Sequence, residues 1–492
     1  MFQCPYCGNE LRTTAKGRFC NHCGADLTKS MQKQPSTHHI SQEKGVRKPS
    51  PSYRPSLIII GSIVTIGIVF MFFIIASSTF LRPLFDPPYG SGIEIYSDTD
   101  FLKYSSSGTG TKADPYILSN YYLTEELIGF SIEDTTKHFV ITNCTIEINH
   151  KGIHIENVAP GTANIRGNTL IDGDWPRAGI TIHSSPGVNI SNNFISDTGG
   201  VGIRIVNSKA SFVSNNTILE KDIAISTGIS LRNSDSSLIT NNTLEACRDA
   251  IDCNESDYAN ITYNRCENND DTSINITNSD YVKISNNICS NGGEEGGIVI
   301  RDSKETMVSN NTILKQSWIG IDLIHSASSI IINNTIEACE HAIYCVKSDY
   351  VIISSNKFEK NQYSCITNDN SDFVTISNNL CVNTTSLWSA SIFLMSSSNC
   401  QIKYNRIENN SWYGIYFDGW MSGESNLICL NSFINNNFDG TSQASDNGTS
   451  NYWYDSDLAQ GNYWSDWNGT GSYAIAGTAN AIDIYPLSEP PV

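Results

Sequence analysis

Three observations predict an all-β chain wound as a right-handed parallel β-helix of about 13 rungs. A motif with paired asparagines returns at intervals of 22 to 26 residues, each interval holds three short strands of period two, and nothing between them has a helical period. The marker is spelled "VSNNTI" at Val213 to Ile218 and again at Val308 to Ile313. Its second asparagine falls at Asn168, Asn193, Asn216, Asn242, Asn264, Asn287, Asn311, Asn334, Asn356, Asn379, Asn405 and Asn431, with Cys144 in that place one unit earlier. Each unit also carries a "GI-x-I" strand, as at Gly152, Gly179, Gly202, Gly228, Gly297, Gly320 and Gly414, with degenerate copies such as "AIDC" and "AIYC" in the slots between. A third strand, such as "SLITN" or "YVKIS", lies between that run and the asparagines. Leucine-rich repeats need a helical half and propeller blades need about 40 residues, so neither fits. At about 4.8 Å per rung the rod is roughly 60 Å long.

The chain reaches this rod through a differently composed N-terminus. Residues 1–27 hold "CPYCG" and "CNHCG", so Cys4, Cys7, Cys20 and Cys23 form two C-x2-C turns with twelve residues between the pairs. Four thiolates in that spacing predict one structural zinc ion in a closed tetrahedral site. These residues resemble the zinc-ribbon heads at the N-termini of prokaryotic membrane proteins, which implies a protein partner for the ribbon; nucleic acid is the less favoured partner. Residues 28–56 are polar, Pro-containing and basic, a disordered linker in which His38 and His39 lack partners. Residues 57–80, "LIIIGSIVTIGIVFMFFIIASSTF", contain no charge and suffice for one transmembrane helix.

Charge orients that helix. Residues 1–56 hold nine Lys/Arg and three Asp/Glu, whereas residues 81–492 hold 22 and 47, which together give the net −19. The positive-inside rule then expects a single-pass cell-membrane protein with its N-terminus in the cytoplasm and its acidic β-helix outside the cell. Thirteen Asn-x-Ser/Thr sequons in the body, among them Asn143, Asn260 and Asn468, suit an exported surface.

Within the body, expected at 93–487, asparagine suits the bend because it tolerates left-handed backbone and bonds to neighbouring peptide groups. Repeated at one bend, its amides can bond along the rod. Ser185, Ser208, Ser234, Ser256, Ser279, Ser303, Ser326, Ser348 and Ser371 recur at a second turn, often followed by Asp, as at Asp257, Asp280, Asp349 and Asp372. Cys253, Cys266, Cys289, Cys345 and Cys381 occupy apolar positions and should point inward. The repeated spacing of Cys247/Cys253 and Cys339/Cys345 leaves two readings open, a disulfide across a turn or buried thiols. An N-terminal cap at about 97–140 begins with Asp100 placed to cap a short helix, and a C-terminal cap at about 435–487 contains "GNYWSDW" and "AIDIYPL".

These cap signatures and the repeat resemble the NosD-type β-helix proteins, linked to copper-site maturation of nitrous oxide reductase, and the wider pectate-lyase-like group of carbohydrate-binding and sugar-hydrolase β-helices. The resemblance spans roughly Ile93 to Leu487 and implies the fold; the activities of that group include lyases, hydrolases, adhesins and binders.

A hydrolase needs two carboxylates several ångströms apart. Candidates are Asp270 and Asp271, Glu294 and Glu295, and the pairs Asp257/Asp280 and Asp349/Asp372, all in turns where solvated or capping roles suffice. Clustered acids also suit calcium, although no specific calcium motif is present. The Asp-pair, His-Gly and Arg-x-Lys combination of polygalacturonases is missing, and His183, His325 and His341 show no consistent carboxylate partner. Tryptophan is more suggestive. Trp175, Trp318, Trp388 and Trp412 each precede a "GI-x-I" strand by a few residues, and Trp420 follows near Asp418 and Glu424. Indole faces beside polar side chains hold sugar rings. The sequence therefore predicts a surface β-helix that recognises a glycan or a protein partner, with Trp318, Trp388, Trp412, Asp418, Trp420 and Glu424 as ligand-binding candidates and no assigned catalytic residue. The alternatives are a polysaccharide lyase or glycoside hydrolase, and a NosD-like scaffold for metal-site assembly.

Overall fold

The computed structural model describes residues 92–492 apart from 125–127, 148–150, 172–177, 221–225, 420–422, 438–439, 441 and 492, together with the backbone of Phe2–Gln3 and Glu10–Leu11. Phe2–Gln3 pairs antiparallel with Glu10–Leu11, bracketing Cys4 and Cys7 in sequence. Cys4, Cys7, Cys20, Cys23, the linker and residues 57–80 lie outside the described residues. No described helix is long and apolar enough to cross a membrane.

The body is a right-handed parallel β-solenoid of about 13 turns, as expected. Its wide sheet has 15 strands, from Ile93–Ile95 to Ala444–Asp446, and holds the "GI-x-I" runs. A second sheet of 14 strands runs from Tyr116–Ser119 to Leu427–Cys429, and a third of 15 runs from Tyr122–Leu123 to Tyr463–Trp464. Between the edge strands, each strand pairs in parallel with its counterparts one rung before and after, in register, so that Ile180 meets Ile153 and Ile203. Stacked β-branched side chains fill the interior: Ile203, Ile229, Ile251 and Ile274 are fully buried. Where a glycine stands near the start of a wide strand, close approach favours it. A Cβ on Gly202 would sit 2.7 Å from the Gly228 carbonyl oxygen and 2.8 Å from Ile218 Cγ2.

The paired asparagines divide their work. The first takes the left-handed backbone, as Asn215, Asn241 and Asn310 do at φ 54°, 54° and 56°. The second is buried and forms a ladder. Asn242 Nδ2 and its backbone N–H both donate to Asn264 Oδ1 at 3.0 Å, while Asn264 Nδ2 donates to the Ile239 carbonyl at 3.0 Å and to Asn287 Oδ1 at 3.0 Å. The same bonds run from Asn168 to Asn462. A serine ladder holds the second corner: the Ser234 N–H donates to Ser256 Oγ at 3.0 Å, and the Ser256 N–H to Ser279 Oγ at 2.9 Å. A third corner, not anticipated from the sequence, uses Asn269, Asn361 and Asn410, whose amide oxygens accept from the backbone of Cys247, Cys339 and Thr384.

The inward cysteines behave as small hydrophobes, with Cys253, Cys266, Cys289, Cys345 and Cys381 fully buried. Cys247, Cys253, Cys339 and Cys345 are free thiols, and burial pushes those of Cys253 and Cys345 up to about 12.

Both ends are closed by aromatic side chains. Phe101, in the helix Phe101–Tyr104, stacks on Tyr116 at 4.8 Å. Asp100 does not cap that helix; its carboxylate accepts instead from the Tyr96 and Ser97 N–H groups of the preceding turn. At the other end Trp464 is sandwiched between Phe433 and Tyr473, each 4.1 Å away. The Trp453 and Trp464 indoles donate to the buried carboxylates of Asp446 and Asp483 at 2.9 and 3.0 Å.

Asn264→Ala removes a shared acceptor and a donor, stranding buried groups of Asn242 and Ile239, and should cost about 2–4 kcal/mol. Asn241→Ala, at the exposed left-handed position, should cost only about 1 kcal/mol. Thermal melts rank the two, and faster amide exchange at Asn242 in the first variant alone locates the effect.

Candidate functional site

Since the interior is fixed by packing, chemistry on this rod belongs to residues facing outward from the wide sheet. The x position of "GI-x-I" faces outward, and in-register pairing stacks its occupants into a column, from Asp322 through Tyr344, Thr367 and Phe393 to Tyr416. A cleft of about 470 Å³ opens on this column. Trp318, His341, Tyr344 and Phe393 supply aromatic walls, Asp322 and Thr367 polar groups, and Met395 and Ser389 the far side.

Asp322 is only 6 % exposed, and its Oδ1 has no hydrogen-bond partner. Burial pushes its carboxyl up to about 6, with Arg301 opposing the rise and Glu295 adding to it. Asp369 stands in register between Val346 and Met395 of the cleft wall, and burial raises its carboxyl also. Tyr344 feels both carboxylates; after burial, Asp369 and then Asp322 raise its phenol. His341 is held neutral: burial lowers its imidazole to about 4. Its Nδ1 lies 2.7 Å from Ser364 Oγ, and its ring stacks on Tyr363 at 5.1 Å with its edge toward Trp318 at 6.4 Å. The arrangement offers flat apolar faces beside a carboxyl with a free oxygen, which is chemistry for a polyhydroxylated ring.

Of the tryptophans singled out in the sequence, Trp318 lines the cleft directly. Trp388 is 86 % exposed on the loop whose next residue, Ser389, belongs to the cleft wall. Trp412 packs on Tyr413 at 4.7 Å and Tyr416 at 5.0 Å, and Tyr416 contacts Phe393 at 5.3 Å, so an aromatic run leads away from the cleft. Trp175 and Trp420 lie outside the described residues. Asp418 and Glu424 are not among the cleft residues. Asp418 follows the strand Ile415–Phe417, where its N–H donates to the Leu394 carbonyl at 3.1 Å, and the Glu424 backbone bonds to Ser398 Oγ and the Asn399 N–H.

Several of the acidic turn residues bond within the framework. Asp257 Oδ1 accepts from the Asp280 N–H at 2.8 Å, and Asp372 Oδ1 from the Ser398 N–H at 2.7 Å, each a carboxylate tying one rung to the next. Glu295 pairs with Arg301 at 2.7 Å. Asp271 lies near Asp249 and Arg248, and burial raises its carboxyl. Two histidines do have carboxylate partners, contrary to the expectation from sequence: His183 Nδ1 is 3.3 Å from Glu156 Oε1, and His325 Nδ1 is 3.3 Å from Asp302 Oδ1. Register pairing brings these groups together across 23 to 27 residues, which linear spacing does not display.

Residues 221–387 and 374–469 match the family described as periplasmic copper-binding protein (NosD), and residues 128–267 match the right-handed β-helix region. No curated protein matches the chain. Among solved structures, a mutant of the periplasmic alginate epimerase AlgG is similar at 13 % identity and TM-score 0.42, covering 68 % of this chain and 88 % of that one. DFA-IIIase from Arthrobacter chlorophenolicus A6 gives 11 %, 0.42, 70 % and 92 %, and the surface adhesin PfbA of Streptococcus pneumoniae 13 %, 0.37, 60 % and 82 %.

The charged form of Asp322 is desolvated in the fold, so its folded pKa lies above the unfolded value of 3.8. The resulting penalty is absent below pH 4, grows between pH 4 and 6, and persists above. Asp322→Asn should therefore melt like wild type near pH 4 and higher than wild type at pH 7, by about 1–3 kcal/mol. A constant difference across that range would remove the titration as its cause.

Proposed function

This chain belongs to the NosD family, and from that premise we propose that it is a membrane-anchored surface β-helix protein that recognises a glycan in the cleft between Trp318 and Phe393. The observation that carries this reading is the placement of Trp318, Tyr344 and Phe393 around Asp322, a buried carboxyl with an unsatisfied oxygen. Apolar sugar faces stack on the rings, and a hydroxyl donates to Asp322 Oδ1, relieving the cost of its burial. Residues 57–80 anchor the rod, with the N-terminus inside, and Cys4, Cys7, Cys20 and Cys23 hold a structural zinc ion in the cytoplasm.

Copper, which the family description names, does not fit the matched segment. Among the described residues of 221–469, no three His, Cys, Asp or Glu side chains converge at metal-binding distance. The cysteines there are buried free thiols, and burial pushes those of Cys345 and Cys400 up to about 12. No copper step is assigned to that segment.

A second reading as a glycoside hydrolase is favoured by one observation, the two carboxyls on either side of Tyr344, with Asp322 raised far enough to remain partly protonated near pH 6. The two readings part on turnover. On an array of cell-wall and surface-layer polysaccharides, the detergent-solubilised chain should be retained without releasing reducing or unsaturated ends. Trp318→Ala should weaken retention at least tenfold, about 1.4 kcal/mol. Release of reducing ends that Asp322→Asn abolishes favours the hydrolase, and retention of no glycan at all sinks both.

The ribbon has its own test. Cobalt(II) in place of zinc should show thiolate charge-transfer bands that disappear in a Cys4→Ser, Cys20→Ser variant. Bands that survive the double substitution would place the metal elsewhere.

A further inference from the structure

We propose that Glu133, His154, Glu156 and His183 form a binding site for one divalent first-row cation on the outward face of the earliest wide-sheet rungs. Three strands supply it: Ile128–Glu133, Lys151–Glu156 and Ala178–His183. Register places Glu133 beside Glu156 and Glu156 beside His183, on neighbouring strands. His154 precedes Glu156 by two residues, so it faces the same way. Four potential ligands are thereby gathered from a single patch of sheet, the rigid kind of element that holds a coordination geometry.

The distances suit an ion. Ligand atoms of Glu133, His154 and Glu156 all lie within 4.8 Å of one another. His154 Nε2 is 3.1 Å from Glu156 Oε2, and His183 Nδ1 is 3.3 Å from Glu156 Oε1. Glu133, His154 and Glu156 are gathered closely enough to share one cation, and His183, beside Glu156, stands next to them as a fourth ligand. The Ser131 hydroxyl donates to Glu133 Oε1 at 2.9 Å and so holds that carboxylate in place.

The charge balance points to a missing positive charge, and the burial of His154 to a ring held in place for one. Like charges directly opposite on paired strands are unfavourable, yet Glu133 and Glu156 are such a pair, and no lysine or arginine bridges to either among the described residues. His154 is only 7 % exposed, and its Nδ1 has no partner, so protein hydrogen bonds account for one end of the ring only. Two carboxylates and two neutral imidazoles neutralise a divalent ion and supply borderline ligands of the kind zinc takes. The site lies outside residues 221–469, and it is independent of both the cleft and the cysteine ribbon.

The full chain, stripped with chelator and dialysed against zinc, should bind one ion more than its Glu156→Gln and His183→Ala variants. Both substituted side chains are well exposed, 41 % and 39 %, so the fold should tolerate their loss, and unchanged circular dichroism checks this. The cobalt thiolate bands of the ribbon should be the same in all three proteins, which separates the two metal sites. Zinc should raise the melting temperature of the metal-free wild type and leave those of the variants unmoved. Equal stoichiometry in wild type and variants, or zinc held only by the cysteines, overturns the proposal.

Discussion

The whole rod depends on satisfying peptide groups at corners from which water is excluded. Each rung turns three times, and at each turn a few N–H and C=O groups point along the axis or inward instead of into a sheet ladder. The asparagine ladder resolves the tightest of these. One Oδ1 takes two donors from the rung before, and one Nδ2 gives to a carbonyl and to the next amide, as at Asn264. That pattern works only if the next rung presents the same amide at the same height, so the requirement propagates from Asn168 to Asn462. It ends where Asp483 takes the Asn462 N–H at 2.7 Å, a carboxylate that accepts and demands nothing further along the axis. The repeat in the sequence is the imprint of this condition.

In-register stacking then turns sequence period into spatial column. Residues about 23 apart become neighbours about 4.8 Å away, so a site can be assembled with no local signature at all. Glu133, Glu156 and His183 are one such column, and Asp322, Tyr344, Thr367 and Phe393 another. Function on this scaffold is written across rungs at a single outward position, while the inward positions on either side remain isoleucine or a close substitute.

This explains what the sequence could and could not disclose. The three strands, the two ladders and the inward cysteines were legible because each repeats, and repetition makes an alignment of the chain with itself. The division of labour inside each Asn-Asn pair was not, since one residue type performs both tasks and only the backbone angle separates Asn241 from Asn242. Asp322 is spelled out in "GIDL", but it stands in mid-strand and not in a turn, and burial rather than spacing gives it its character. The partners of His183 and His325 were hidden for the same reason, being a full rung away. Trp318 precedes a wide strand and lines the cleft beside the outward column, whereas Asp418 and Glu424 do not line it.

The buried carboxylates show why the cleft stands apart from the framework. Asp446 and Asp483 are as deeply buried as any acid in the rod, and each is saturated: Asp446 by the Trp453 indole, the Gly448 N–H and Asn451, Asp483 by the Trp464 indole and the N–H groups of Asn462 and Tyr485. Asp322 is buried nearly as far, yet one of its oxygens is bonded to nothing. Glu220 and Glu340 also keep a buried oxygen without a partner, but of these acids Asp322 is the one that lines the aromatic cleft. Leaving its oxygen open costs on the order of 1–3 kcal/mol, which a donor brought from outside the protein would recover. A cleft walled by Trp318, Tyr344 and Phe393 admits a molecule able to do so, and the open oxygen is the place where it would be recognised.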